Sequence, residues 1–139
     1  MVDEDINFPK VNYGKKNVDR IHELTIADWS PFFDHGYWEI FIFCMSYAYV
    51  KGLKPEKVSG TGTMPADAFK TETRHLMRAL AIDYNNDISV IKNSRDYVTL
   101  CEQFAYAGFD EVYDRIKNRP SEKSVDSVLF DMINESNKN

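Results

Sequence analysis

The chain has 139 residues, 43% of them hydrophobic and 14% aromatic, which suits one domain with a buried core and excludes wholesale disorder. A formal charge of -5 works against general attraction to nucleic-acid phosphates, and no long Lys/Arg run marks a local exception. Two cysteines, Cys44 and Cys101, exclude a disulfide framework and a four-cysteine zinc site, and their apolar contexts read as buried free thiols.

The opening MVDEDINFPK is acidic and has no continuous apolar segment, so it does not read as a secretory signal. Residues 1–14 read as an irregular arm with a short extended segment around Ile6–Val11, residues 15–134 as a single helical domain, and residues 135–139 as a flexible tail. Asn17–Thr25 predicts a first helix, because Val18, Ile21 and Leu24 recur every three residues on one face. Trp29, Phe32 and Phe33 follow around the SPFFDHG segment, a loop whose aromatics close over the core, with an aromatic ligand patch as the competing reading. Tyr37–Lys51 then predicts a strongly apolar central helix with contacts on several sides, stopped by Gly52. Its aromatic and β-branched content keeps strands as the structural rival. The apolar run within it, Ile40–Val50, falls short of the roughly 20 residues that cross a bilayer. The expectation is therefore a cytoplasmic protein with no membrane partner.

Lys51–Met64 reads as a connection. Its SGTGT stretch suits a turn or an anion-binding nest, but lacks the GxxxxGK[ST] spacing of a phosphate-binding loop. Pro65–Asp83 predicts a helix capped by Thr63, with Phe69, Leu76, Met77, Leu80 and Tyr84 on its apolar face and Arg74 and Arg78 one turn apart. Asp87–Lys92 predicts one short helix, and Ser94 caps the next, Arg95–Ala107. Gly108 reads as a stop or a close backbone approach before a further helix, Phe109–Asn118. A final amphipathic helix, Ser124–Asn134, carries Val125, Val128, Leu129, Met132 and Ile133 after the polar lead-in Ser121–Ser124. The fold class is mainly α: a compact small helical domain with a strongly apolar central helix.

No complete chemical motif emerges. His22, His35 and His75 have no metal-ligand spacing, and Ser46 is not in a GxSxG elbow. Asp83 and Asp87 flank the Asn85–Asn86 turn without EF-hand spacing. Glu102, Asp110, Glu111 and Asp114 form a carboxylate-rich region, but linear spacing supplies no cleft for acid/base work. No catalytic residue, cofactor or metal is assigned, and an enzyme is the less favoured class. The residues to examine for anion or nucleic-acid contact are Arg74, Arg78, Arg95, Arg115, Lys117 and Arg119.

Glu102–Val112, EQFAYAGFDEV, together with Phe43–Gly52 and Arg78–Ile82, resembles a small bacterial family of DNA-phosphorothioation (dnd) system-associated proteins. The resemblance spans roughly residues 37–118. It departs from the family's Tyr-Ala-Asn-Gly-Gly-like stretch, where this chain has Tyr106–Ala107–Gly108. It implies a small accessory protein in a prokaryotic DNA-modification or phage-defence setting, carried by Glu102, Tyr106 and Gly108, and it implies no reaction. The leading expectation is a protein-interaction or regulatory module with a protein partner or a second copy of itself. A direct DNA-binding accessory protein and a small enzyme of another class are the alternatives.

Overall fold

A computed structural model of the chain describes residues 8–119 and 125–137. Among these, five α-helices follow one another: α1 (Val18–Ile26), α2 (Tyr37–Lys51), α3 (Thr71–Asn85), α4 (Ser94–Lys117) and α5 (Val125–Asn137). Two strands, β1 (Val11–Asn12) and β2 (Thr63–Met64), pair antiparallel with Val11 opposite Met64. Short 3₁₀ turns at Lys15–Asn17, Ala66–Ala68 and Ile88–Lys92 lead into α1, α3 and α4. The protein is mainly helical, as its apolar periodicity predicts.

The most extensive helix–helix contact joins α2 and α4. Gly108 makes it close: a Cβ there would lie 2.6 Å from the Cys44 carbonyl oxygen and 3.1 Å from the Ala48 Cβ. Gly108 is therefore neither a stop nor a boundary. Arg95–Ala107 and Phe109–Asn118, expected as two helices, are the single helix α4. A glycine inside a helix costs about 1 kcal/mol relative to alanine, and here that cost permits the backbones to approach.

The expected strongly apolar central helix requires correction. No helix among the described residues is long and apolar enough to cross a membrane. Helix α2 buries Ile40, Phe41, Cys44, Met45, Tyr47 and Ala48, but Glu39 meets His35, Lys51 forms an ion pair with Glu111, and Tyr47 and Tyr49 form side-chain hydrogen bonds. The apolar letters that encircle it in sequence thus include tyrosines whose rings pack while their hydroxyls meet charged partners. The longest helix is α4, which carries Asp, Glu, Arg and Lys along its exposed side.

Other differences have local causes. The helix expected from Pro65 begins at Thr71, because Thr63 and Met64 are taken up by pairing with Asn12 and Val11. Asn93, rather than Ser94, caps α4, its Oδ1 accepting from the Arg95 amide at 2.9 Å, while Ser94 is buried. The described part of the N-terminal arm is core: Phe8, Val11 and Tyr13 are buried. Helix α5 continues past Asn134, while the Ser121–Ser124 lead-in and residues 1–7 lie outside the described residues.

Asn12 ties the arm to the domain. Its Oδ1 accepts from the amides of Gly14 and Gly62, each at 3.0 Å, and its Nδ2 donates to the Gly60 carbonyl at 3.1 Å. The Asn12 amide donates to Glu102 Oε2 at 2.8 Å. The SGTGT segment is thereby a turn clasped by an asparagine, and its Gly62 amide already has an acceptor.

Candidate functional site

The loop after α1 builds one wall of a surface groove. Ser30 is buried, with its hydroxyl accepting from the Phe32 amide at 3.0 Å. Successive turn bonds, Phe33 to Ser30 at 3.1 Å and His35 to Phe32 at 2.9 Å, fold the chain tightly, while the Asp34 amide anchors it to Thr25 at 2.8 Å. Asp34 takes a left-handed conformation, φ 63°, which an aspartate tolerates better than a branched side chain. Glu39 then ties the start of α2 to the loop. One of its oxygens accepts from the Gly36 amide at 2.8 Å, and the other meets His35 Nδ1 at 3.0 Å. Burial pushes the Glu39 carboxyl up, but the Gly36 amide and His35 outweigh it and leave the group below its ordinary range.

The groove is a shallow, open depression of about 440 Å³ between this loop and the outer face of α2. Pro31, Phe32, Trp38, Ile42 and Phe43 form its apolar lining, and His35, Glu39 and Ser46 supply the polar edge. Phe32 and Phe43 meet edge to face at 5.6 Å, so the lining is preset by ring packing. Trp29 and Phe32 pack against the core as expected of the loop aromatics, whereas Phe33 is half exposed. The surrounding sequence is one-sided in charge. Residues 21–50 contain Glu23, Asp28, Asp34 and Glu39 and neither Lys nor Arg. The His35–Glu39 pair goes beyond the sequence expectations, although its i, i+4 spacing and the position of Glu39 three residues beyond Gly36 are readable signals.

The opposite end of α2 carries a charge lattice shared with α4 and α5. Lys51 donates to the Tyr47 hydroxyl at 2.9 Å and pairs with Glu111, which also accepts from that hydroxyl. Arg115 binds both oxygens of Glu135, with Nη2 to Oε2 at 2.8 Å, and Lys51 lies 3.9 Å from the same carboxylate. Arg115 holds Glu135 below the ordinary carboxylate range. For Glu111, burial raises the pKa, but Lys51 and Tyr47 outweigh that and leave it low. A neighbouring set joins Lys16 and Arg20 of the α1 side to Asp110, at 3.0 and 2.8 Å.

The six basic residues singled out from sequence do not converge. Arg74 is buried, with Nε donating to the Phe69 carbonyl at 2.7 Å, Nη2 to the Ala66 carbonyl at 2.9 Å, and its guanidinium 4.0 Å from the Phe8 ring centroid. It is a staple for the turn before α3. Arg78 donates to the Tyr97 hydroxyl at 3.2 Å. Arg95 is exposed at the start of α4, about 30 Å along the helix from Arg115 at 1.5 Å per residue. Lys117 pairs with Glu23 at 2.9 Å and donates to the Tyr113 hydroxyl, while Arg119 donates to the Ile116 carbonyl at 3.2 Å.

The remaining candidate chemistry finds structural explanations. Burial pushes both thiols up, so Cys44 and Cys101 remain protonated and inert. Asp83 accepts from the Tyr49 hydroxyl, and Asp87 caps the Ile88–Lys92 turn through the Ser89 amide at 2.9 Å. Glu102, carried by the family resemblance, is raised by burial and accepts from the Asn12 amide. Tyr106 packs beside Gly14 and under the Lys16 ammonium. Among the described residues, no group of three His, Cys, Asp or Glu side chains is arranged to hold a metal ion. No family model, curated protein or solved structure matches the chain.

Proposed function

We propose that this protein is an interaction or regulatory accessory module whose α2 groove receives a partner protein through an apolar anchor flanked by Lys or Arg. The observation that carries this reading is a preset apolar groove whose loop and helix start, residues 27–50, hold Asp28, Asp34 and Glu39 and neither Lys nor Arg. A groove of about 440 Å³ suits one or two large side chains. The acidic surroundings favour a cationic flank and disfavour an acidic one. The distribution of Arg74, Arg78, Arg95, Arg115, Lys117 and Arg119, several of them engaged internally, gives less support to a broad DNA-binding face. The sequence resemblance supplies a setting for the module, a cytoplasmic prokaryotic DNA-modification or phage-defence system.

The test uses a synthetic basic peptide with a central Trp-free Leu/Phe anchor, titrated into the full chain while ¹⁵N–¹H shifts of Trp38 and Ile42 are followed. Saturable shifts are expected, lost in Ile42→Glu and absent with an acidic peptide of the same apolar pattern. Equal shifts with both peptides, or none with the basic one, overturn the reading. A concentration-dependent dimer abolished by Ile42→Glu would assign the groove to a second copy instead.

A further inference from the structure

Helix α5 is attached differently from the rest of the domain. Its described buried side chains are Val128 and Met132, with Leu129 partly buried, while Phe130 and Ile133 are exposed. It lies across α2 and α4, and its last described side chain, Glu135, ends in the fork formed by Arg115 of α4 and Lys51 of α2. The Arg115 and Glu135 side chains retain 27% and 42% exposure, so the lock is reachable from solvent.

This lock is a carboxylate in a site shaped for an oxyanion. A guanidinium presents two parallel donors to Glu135, with an ammonium on the same side, the arrangement that also suits phosphate. Glu111 has its own partners in Lys51 and Tyr47, neither of which it needs Glu135 to reach. Removal of Glu135 therefore leaves two cations against one carboxylate, a net positive fork. The other acidic group of α5 near the lock, Asp131, raises the Glu135 pKa and travels with the helix.

We propose that α5 is a releasable strap, seated by Val128 and Met132 and locked by Glu135, and that a phosphate-class oxyanion competes with Glu135 for the Arg115–Lys51 fork and frees the helix. The ligand is recognised as a tetrahedral oxyanion, either free phosphate or a phosphate of a nucleic-acid backbone. This site is separate from the α2 groove and stands independently of the groove's partner.

Amide hydrogen exchange of the full chain tests it, since a strap that opens locally exchanges ahead of the core. Sodium phosphate is compared with sodium chloride at matched ionic strength, and a short DNA duplex is added in a third arm. Phosphate is expected to accelerate exchange across α5 without changing α2 or α4. Glu135→Gln should accelerate α5 in chloride alone, roughly threefold, the scale of one exposed ion pair, and leave little further response to phosphate. Arg115→Gln, checked for retained cooperative unfolding, should abolish the phosphate response. A response to the duplex but not to free phosphate locates the oxyanion on nucleic acid, and a response to both includes the free anion. Equal α5 exchange in all three arms overturns the proposal, as does an Arg115→Gln chain that still responds.

Discussion

The α2–α4 seam and the α5 dock hold helices together by opposite means. At the seam, Gly108 removes a side chain so that one backbone lies against another, with Cys44, Met45, Ala48, Cys101, Phe104 and Ala105 buried in the surrounding core. At the dock, two fully or nearly buried side chains and a solvent-reachable ion pair fasten α5. Close packing resists any change of volume, whereas an exposed ion pair is weak and responds to salt. Stability need not be uniform in such a molecule: the seam belongs to the global fold, and α5 is suited to local opening.

The sharpest break is a side chain at Gly108. Gly108→Val places its Cβ near a backbone oxygen that cannot rotate away, so α2 and α4 must separate. Overpacking of this kind costs about 3 kcal/mol or more. Chemical denaturation should show the loss for the whole domain, with exchange accelerated in every helix. An unchanged denaturation midpoint would mean that the seam accommodates a side chain and that the contrast with α5 is misplaced.

Met132→Ala is the matched cut at the dock. It deletes a fully buried side chain, a change worth about 2 kcal/mol at the lower end of core truncations. The expected signature is local: α5 amides exchange faster, while those of α2 and α4 keep their protection. Equal acceleration throughout would join α5 to the same cooperative unit as the seam.

The two regions also differ in how plainly they are written in the sequence. The limits of α2 are legible because Gly52 adopts the left-handed conformation, φ 85°, that closes a helix, and the short turn after Asp87 follows from a side chain capping its own neighbours. What escaped was long-range. The pairing of Val11 with Met64 displaces the start of α3, yet nothing local to Thr63 or Pro65 announces it. Gly108 carries both meanings, stop and close approach, until Cys44 is seen opposite. Arg74 and Arg78 look like an exposed pair one turn apart, but burial against Phe8 turns Arg74 into a structural donor. For the groove, the loop aromatics were visible in sequence, while the wall they share with Trp38 and Ile42 required the fold.

The smallest effect is the pH dependence of the dock. Arg115 lowers the Glu135 pKa, and Lys51 with Tyr47 leaves Glu111 low despite burial. A carboxyl with a depressed folded pKa binds its proton more readily when unfolded or undocked. Its contribution is present above the ordinary glutamate range and lost as pH falls through the folded value. The groups facing the lock are Tyr47 and Lys51 on α2, Glu111 and Arg115 on α4, and Asp131 on α5 itself. Of these, the basic groups stay charged through the acid range, so protonation of the carboxyls sets the direction. Exchange corrected for its intrinsic pH dependence should therefore show α5 loosening below about pH 4, near the ordinary glutamate value, before the seam does. In Glu135→Gln the α5 response should shrink to the part set by Glu111. If the full response persists without the Glu135 carboxyl, the lock is not what fastens the helix, and Val128 and Met132 hold it alone.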